Sequence, residues 1–245
     1  MLIQVCLNGS RAAGSHERLP LTTAEAAVDL SACVAAGAAA VHVHPRNSDS
    51  AESLHPADVA AWCSALRDAA PGVPISVTTA AWIEPELEQR LRLIQGWRDG
   101  PDLASVNLHE TGALRVIELL TALGMGVEAG VWTVDDARLL VTEGLDAACT
   151  RVLVEIQDCA VPGEAVRRAA AIEDVLTAAN VQAARLHHGE DVATWAVIDA
   201  AIAQGIDVRI GLEDTLVDRD GCLVAGNAAL VTEVARRRLR GGCRA

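Results

Sequence analysis

Short apolar runs alternate with longer helical patterns eight times along this chain, with little sequence between them. The runs are Leu2–Leu7, Ala40–His44, Ile75–Thr78, Leu103–Leu108, Met125–Ala129, Arg151–Ile156, Val181–Leu186 and Val208–Leu212. The first helix is expected to open at Thr22 or Thr23, with Glu25 as capping partner, and to close at Gly37. The others are expected over Pro56–Ala70, Glu84–Gln95, Thr111–Leu123, Val134–Thr142, Glu164–Ala179, Val192–Ala203 and Ala228–Leu239, with Pro71-Gly72 and Gly124 as stops. Strands alternating with helices imply a parallel sheet with helical crossovers. Eight such units in 245 residues match the roughly 250 residues of a lean eightfold barrel. The expected fold is therefore α/β, a single (β/α)8 TIM barrel filling one domain over residues 1–245.

The composition suits that core. Hydrophobic residues make up 51% of the chain, yet there is no Phe and no Tyr, so branched aliphatics and Ala must fill the layers. A formal charge of −13 argues against a nucleic-acid partner, because neutralising phosphates needs clustered cations. The one basic run, Arg236, Arg237, Arg238 and Arg240, reads as the last turn of the final helix, where cations suit the helix dipole. All 20 basic residues are Arg. Without Lys, Schiff-base catalysis, a pyridoxal phosphate anchor and a Walker-type phosphate loop are all excluded. Seven Cys with no C-x-x-C pair read as reduced, mostly buried thiols. The start of the chain lacks the pattern of a signal peptide, and no apolar run is long enough to span a membrane. A cytoplasmic location without membrane association is expected.

Side chains alternate faces along a strand. Ile3, Val5 and Leu7 oppose Gln4, Cys6 and Asn8; Val41 and Val43 oppose His42 and His44. Ile75 and Val77 oppose Ser76 and Thr78; Ala104, Val106 and Leu108 oppose Ser105, Asn107 and His109. Val127 opposes Glu128, and Val208, Ile210 and Leu212 oppose Arg209, Gly211 and Glu213. The aliphatic parity fits the layer facing the helices. The other parity carries polar groups late in the strands, where Asn8, His44, Thr78, Asn107, Glu128 and Glu213 would converge on the C-terminal mouth that holds barrel chemistry. A purely structural barrel has no need of so many, since each unpaired buried polar group costs on the order of 1–3 kcal/mol.

His42 and His44 place two imidazoles on one face, about 7 Å apart along the strand. Closure sets the eighth strand beside the first and the first beside the second, so Glu213 reaches the same point across Asn8. Two His and one carboxylate form a ligand set that leaves a position open for substrate. Zinc is the default ion, with iron, manganese and cobalt as alternatives. Two packed core histidines are the plainer reading of H-x-H alone.

Two segments carry a family resemblance. Ala-Gly-Ala-Ala-Ala-Val-His-Val-His-Pro-Arg (36–46) resembles the G-A-x-x-x-H-x-H-x-R segment of the β-keto acid cleavage enzymes. Arg209-Ile-Gly-Leu-Glu-Asp, followed by Gly-Asn-Ala-Ala-Leu-Val (226–231), resembles that family's R-x-G-x-E-D-N … S-N-A-x-L-V ending. The resemblance implies an eightfold barrel with a catalytic divalent metal, usually zinc, held by His42, His44 and Glu213. It implies a reaction of a β-keto acid with acetyl-CoA, giving acetoacetate and a new acyl-CoA. On that footing Asp214 and Arg209 are acid/base partners and Glu128 matches a family glutamate of the fifth strand. Thr78, Asn107 and Asn8 are the expected substrate contacts, with Arg11 available for an anionic distal group. A dimer or tetramer is also implied, as such barrels commonly associate.

The chain departs from the family pattern after the sixth strand. Gln157-Asp-Cys-Ala-Val-Pro-Gly163 stands where a glycine-rich loop is usual, and the fourth strand ends in Asn107-Leu-His-Glu110 instead of a small N-x-G-[ST]-like stretch. Plainer roles also exist: Asp214 as a turn carboxylate, Arg209 as an ion-pair partner of Glu128 or Glu213, Thr78 as a strand-end hydroxyl, and Arg11, Arg46 and Asp49 as loop charges. His187 and His188 end the seventh strand, where one of them lining the mouth and a solvated loop histidine are equally expected. Two other functions stay open at this level. One is a different metal-dependent barrel enzyme, of class II aldolase or hydrolase type. The other is a non-catalytic barrel that binds a metabolite. An amidohydrolase fits poorly, since the fifth and sixth strands carry no His.

Overall fold

The computed structural model describes residues 1–241. Cys243 lies outside the described residues, as does the side chain of Arg240. Eight parallel strands close a barrel in chain order: β1 Ile3–Cys6, β2 Ala40–Val43, β3 Ile75–Thr78, β4 Leu103–Asn107, β5 Gly126–Val131, β6 Arg151–Ile156, β7 Ala184–Gly189 and β8 Asp207–Ile210. The helices between and after them are α1 Thr23–Ala36, α2 Pro56–Ala69, α3 Leu87–Gln95, α4 Ala113–Ala122, α5 Val134–Thr142, α6 Pro162–Ala178, α7 Thr194–Gln204 and α8 Asn227–Gly241. Closure pairs Val5 of β1 with Val41 of β2 on one side and with Ile210 of β8 on the other. No helix among the described residues is long and apolar enough to cross a membrane. The six described cysteines are all unpaired.

Local chemistry sets the element ends. The Thr22 side chain accepts from the Glu25 amide while the Glu25 carboxylate takes the Thr22 amide, a complete capping box at the start of α1. Thr133 and Asp136 repeat the device at α5. Gly37 ends α1 at φ 115°, a left-handed conformation that costs glycine little.

Strand ends differ from the apolar runs by up to three residues, and two of these differences bear on the site. β7 starts at Ala184, three residues later than Val181. The Val181 amide still closes α6 on the Leu176 carbonyl, and the Gln182 and Ala183 amides are taken by the Asp146 carboxylate, so none of them is free to pair. β8 stops at Ile210. There the amides of Asp214 and Thr215 both turn back onto the Gly211 carbonyl at 3.0 Å.

The aliphatic parity packs under the helices: Val5, Val41, Val43, Val77, Val106 and Val127 belong to one continuous core. Each such burial stabilises by about 1.5–3 kcal/mol relative to exposure. The inner face is polar, with Gln4, Cys6, His42, Ser76, Glu128 and Arg209 all buried. Burying such groups is tolerable only where they bond one another. They do so in a lower layer centred on Glu128, which takes Gln4 Nε2 at 2.8 Å, the Ser76 hydroxyl, and Arg151 Nε at 3.5 Å.

Candidate metal centre

His42 and His44 both point into the mouth, their rings edge to face with centroids 5.2 Å apart. The Nδ1 atom of each is committed. His44 Nδ1 lies 2.5 Å from Glu52 Oε1, and a carboxylate can only accept, so Nδ1 carries the proton. His42 Nδ1 lies 3.1 Å from Ser76 Oγ, whose own hydrogen goes to Glu128. Ser76 must therefore accept from His42. Both rings are thereby fixed with an Nε2 lone pair facing the mouth, as ligating imidazoles require. Burial first, then Arg209, His44 and His188, push the His42 pKa well below its ordinary value, which keeps that ring neutral.

Glu213 closes the set. Its carboxylate lies 3.6 Å from His44 Nε2 and 4.0 Å from His42 Nε2, and the three candidate ligand atoms sit within 4.8 Å of one another. Glu213 Oε2 is buried without a hydrogen-bond partner. An orphaned carboxylate oxygen facing two free imidazole nitrogens is a donor set made for a borderline divalent cation. Replacing Glu52 or Ser76 with Ala should weaken metal binding ten- to a hundredfold, the usual effect of removing an outer partner of a ligating His. Competition against a chromophoric chelator measures this, and unchanged affinity would contradict the assignment.

Strand alternation alone would place Asp214 on the face opposite Glu213. The turn at Gly211 instead carries both consecutive carboxylates into the mouth and brings Glu213 back onto Arg209, four residues earlier, as a part-buried ion pair. That pairing and the neighbouring acids outweigh burial and hold the Arg209 pKa well above its ordinary value. Gly9, at φ +54°, leaves the space: a Cβ there would meet Glu213 Cγ at 2.3 Å. Asn227, at the start of α8, takes the Leu212 amide at 2.6 Å and donates to the Leu7 carbonyl at 2.9 Å, tying the turn to β1.

Three expected contacts have other placements. Arg11 is spent on the same turn, donating to the carbonyls of Leu212, Glu213 and Asp214 and pairing with Asp191 at 2.8 Å. Asn8 is fully buried and laces β1 to β2, bonding both the amide and the carbonyl of His44 at 3.0 Å. Glu128 lies in the interior layer below the mouth, reaching His42 only through Ser76. Arg46 is likewise no free loop charge, since it donates to the carbonyls of Gly9 and Arg11. Thr78 and Asn107 do line the mouth. Asn107 donates to Glu110 at 3.0 Å, and Thr78 Oγ1 accepts from the Ala80 amide at 3.1 Å.

The mouth is a cavity of about 310 Å³, walled by the three candidate metal ligands together with Ser10, Thr78, Ser105, Asn107, Glu155, Arg209 and Asp214, and by Trp82, Trp132, Gln157, Asp158 and Glu190. A volume near 300 Å³ suits a small metabolite.

Two residues for which the sequence suggested no partner complete the surroundings of Asp214. His188, fully buried, puts Nδ1 3.1 Å from Asp214 Oδ1 and Nε2 3.4 Å from Glu155 Oε2. Cys6 Sγ donates to Asp214 Oδ2 at 3.0 Å. Burial and Arg209 push the His188 pKa down, but Glu155 and Asp214 push harder the other way and hold it at about 9. Burial and Asp214 push the Cys6 thiol well up, so it stays a protonated donor. Glu155 shares parity with Arg151 on β6, a strand whose faces the sequence leaves unassigned; the face of His188 was blurred by the late start of β7. His187, one residue earlier, points outward to Glu173 on α6 at 2.7 Å.

Comparison with known proteins agrees with this architecture. A structure of ObcA in complex with oxaloacetate superposes with a TM-score of 0.72 at 16% identity, covering 92% of this chain and 64% of that one. A ternary complex of ObcA with a C4-CoA adduct and oxalate gives 0.72 at 17% identity over the same shares, 92% and 64%. This chain thus spans less than two thirds of the length of ObcA. The 3-hexulose-6-phosphate synthase from Salmonella typhimurium gives 0.59 at 17% identity, covering 98% of this chain and 100% of that one. At such identities these likenesses show the barrel alone. The sequence pattern of the beta-keto acid cleavage enzymes matches residues 1–142 and 174–242, leaving out the stretch that holds β6 and the loop after it. With most of its length under that pattern, the chain belongs to the β-keto acid cleavage enzyme family.

Proposed function

We propose that this protein is a metal-dependent enzyme that condenses a β-keto acid with acetyl-CoA and releases acetoacetate and a new acyl-CoA. The observation that carries the reading is the convergence of two free imidazole nitrogens and one orphaned carboxylate oxygen on a cavity that also holds Arg209 and Asp214. His42, His44 and Glu213 would hold the ion, zinc being the default. When bound, the ion supplies a Lewis acid that polarises the keto acid's oxygens and acidifies its α-carbon.

The protein's residues do the rest. Arg209 has one amino group on Glu213 and lines the cavity, so the remainder of its fork is available to the substrate carboxylate. Asp214 takes the α-proton as a positioned base. The resulting carbanion bonds to the thioester carbonyl of acetyl-CoA and the CoA thiolate leaves. That thiolate then adds to the original keto carbonyl, the old carbon–carbon bond breaks, and Asp214 returns its proton to the acetoacetate carbon. Thr78 and Asn107 offer a hydroxyl and an amide on the cavity wall. The side group of the keto acid would lie outward, between Trp82, Trp132 and the loop of Gln157 and Asp158. Part of that wall lies in the stretch outside the family match.

The test is a panel of β-keto acids with zinc-loaded protein and acetyl-CoA, followed by mass spectrometry. Acetoacetate and one new acyl-CoA should appear in equal amounts. Cleavage of the keto acid to acetate and a second carboxylate without acetyl-CoA would point to a hydrolase, and no product from any member would contradict the proposal.

A further inference from the structure

We propose that His188, braced by Glu155, positions Asp214 for proton transfer, a role that rests on the reading of Asp214 as the proton acceptor. Asp214 stands on a turn, one residue after a metal ligand, and is 2% exposed. Two donors from different strands fix the orientation of its carboxylate. Cys6 on β1 holds Oδ2, and His188 on β7 holds Oδ1. Each carboxylate oxygen accepts more than one hydrogen bond, so a lone pair on each remains for the substrate's proton.

The two donors are unequal. The thiol is a weak one, whereas an imidazolium bonded to a carboxylate is charge-assisted and about twice as strong as a neutral pair. His188 has its far side against Glu155, a residue 5% exposed whose carboxylate stays ionised against the cost of burial through its pairing with His188. Glu155, His188 and Asp214 thus form one row across β6, β7 and the turn after β8, with Glu155 drawn from the stretch that the family pattern does not match. In the reaction the α-proton passes to an Asp214 oxygen and the electron pair stays on the substrate. His188 keeps its own proton throughout and does not line the cavity, whereas Glu155 does, so the His188 variants carry the test and Glu155→Gln supports it. It is a positioning residue, acting only through Asp214.

The test is steady-state kinetics of the zinc-loaded wild type beside His188→Ala, His188→Asn and Glu155→Gln, each checked for folding by thermal melting and for metal content. His188→Ala should lower kcat on the order of a hundredfold with KM within threefold and zinc retained, the low end of what proton transfer contributes. An Asn amide nitrogen falls where Nδ1 stood but cannot reach Glu155, so His188→Asn should recover at least tenfold of that loss. Glu155→Gln should fall between wild type and His188→Ala. A downfield Nδ1–H resonance of His188 in ¹⁵N-labelled protein, lost in Asp214→Asn, would support the contact independently of turnover. A folded His188→Ala with kcat within threefold of wild type, or an Asn variant no better than Ala, would overturn the role. A wild type that turns over no β-keto acid removes the proposed function and this role together, whereas an active wild type with an indifferent His188→Ala removes this role alone.

Discussion

Gly211→Ala is expected to lose at least about 4 kcal/mol of stability, the size reserved for backbone clashes and similar core failures. A Cβ at this position would sit 1.8 Å from the Cys6 carbonyl oxygen and 2.6 Å from its carbonyl carbon. Both are backbone atoms of β1, so no rotamer change relieves the contact, and β8 and β1 must part at the seam that closes the barrel. For a domain of this size each kcal/mol moves Tm by roughly 2–4 °C, so the melt should fall by about 10 °C or more. The same displacement would swing Glu213 and Asp214 away from β2, and metal affinity should fall with stability. A Gly211→Ala protein with a Tm within 3 °C of wild type would contradict the packing described here.

Glu213→Gln is expected to abolish turnover and metal retention together. The amide is a poor ligand beside a carboxylate, and the Lewis acid lost with the ion supplies several kcal/mol, a rate factor on the order of 10³ or more. The substitution also takes the ion-pair partner from Arg209, which is 3% exposed. Stripping a buried charge of its partner costs about 3–5 kcal/mol. Asp214 and Glu155, both near the guanidinium, reduce that penalty, so the loss should fall in the lower part of the range. Turnover near the wild-type rate would show that Glu213 serves only to neutralise Arg209.

Eight alternations of apolar run and helix, with Gly and Pro punctuation, were enough to read the barrel and which strand face looks inward. That His42 and His44 face the mouth together was equally plain, because they share a parity whose opposite members are Val41 and Val43, although H-x-H by itself left two packed histidines as the plainer reading. Glu213 was legible only through barrel closure. Its true setting, a turn that lets two consecutive acids face the same way, breaks the alternation from which it was read. Glu52 could not be found from the sequence, being one acid among many in a loop; only the folded chain brings it to His44 Nδ1. His188 was obscured because Val181 looks like a strand start while its amide is still closing α6. Asn8, Arg11 and Glu128 sit on the right face or loop, yet most of their polar atoms are engaged within the protein. Parity shows which way a side chain points, not whether a backbone carbonyl reaches it before a substrate does.

The most direct measurement is the metal content of the purified protein, wild type beside His44→Ala and Glu213→Ala, by elemental analysis after reconstitution with zinc and removal of the excess. The account predicts about one zinc ion per chain in the wild type and loss of it in both variants, with the fold retained by circular dichroism. A wild type that holds no metal after reconstitution, or variants that hold as much as the wild type, would contradict it and leave a barrel whose histidines are only packed and hydrogen-bonded.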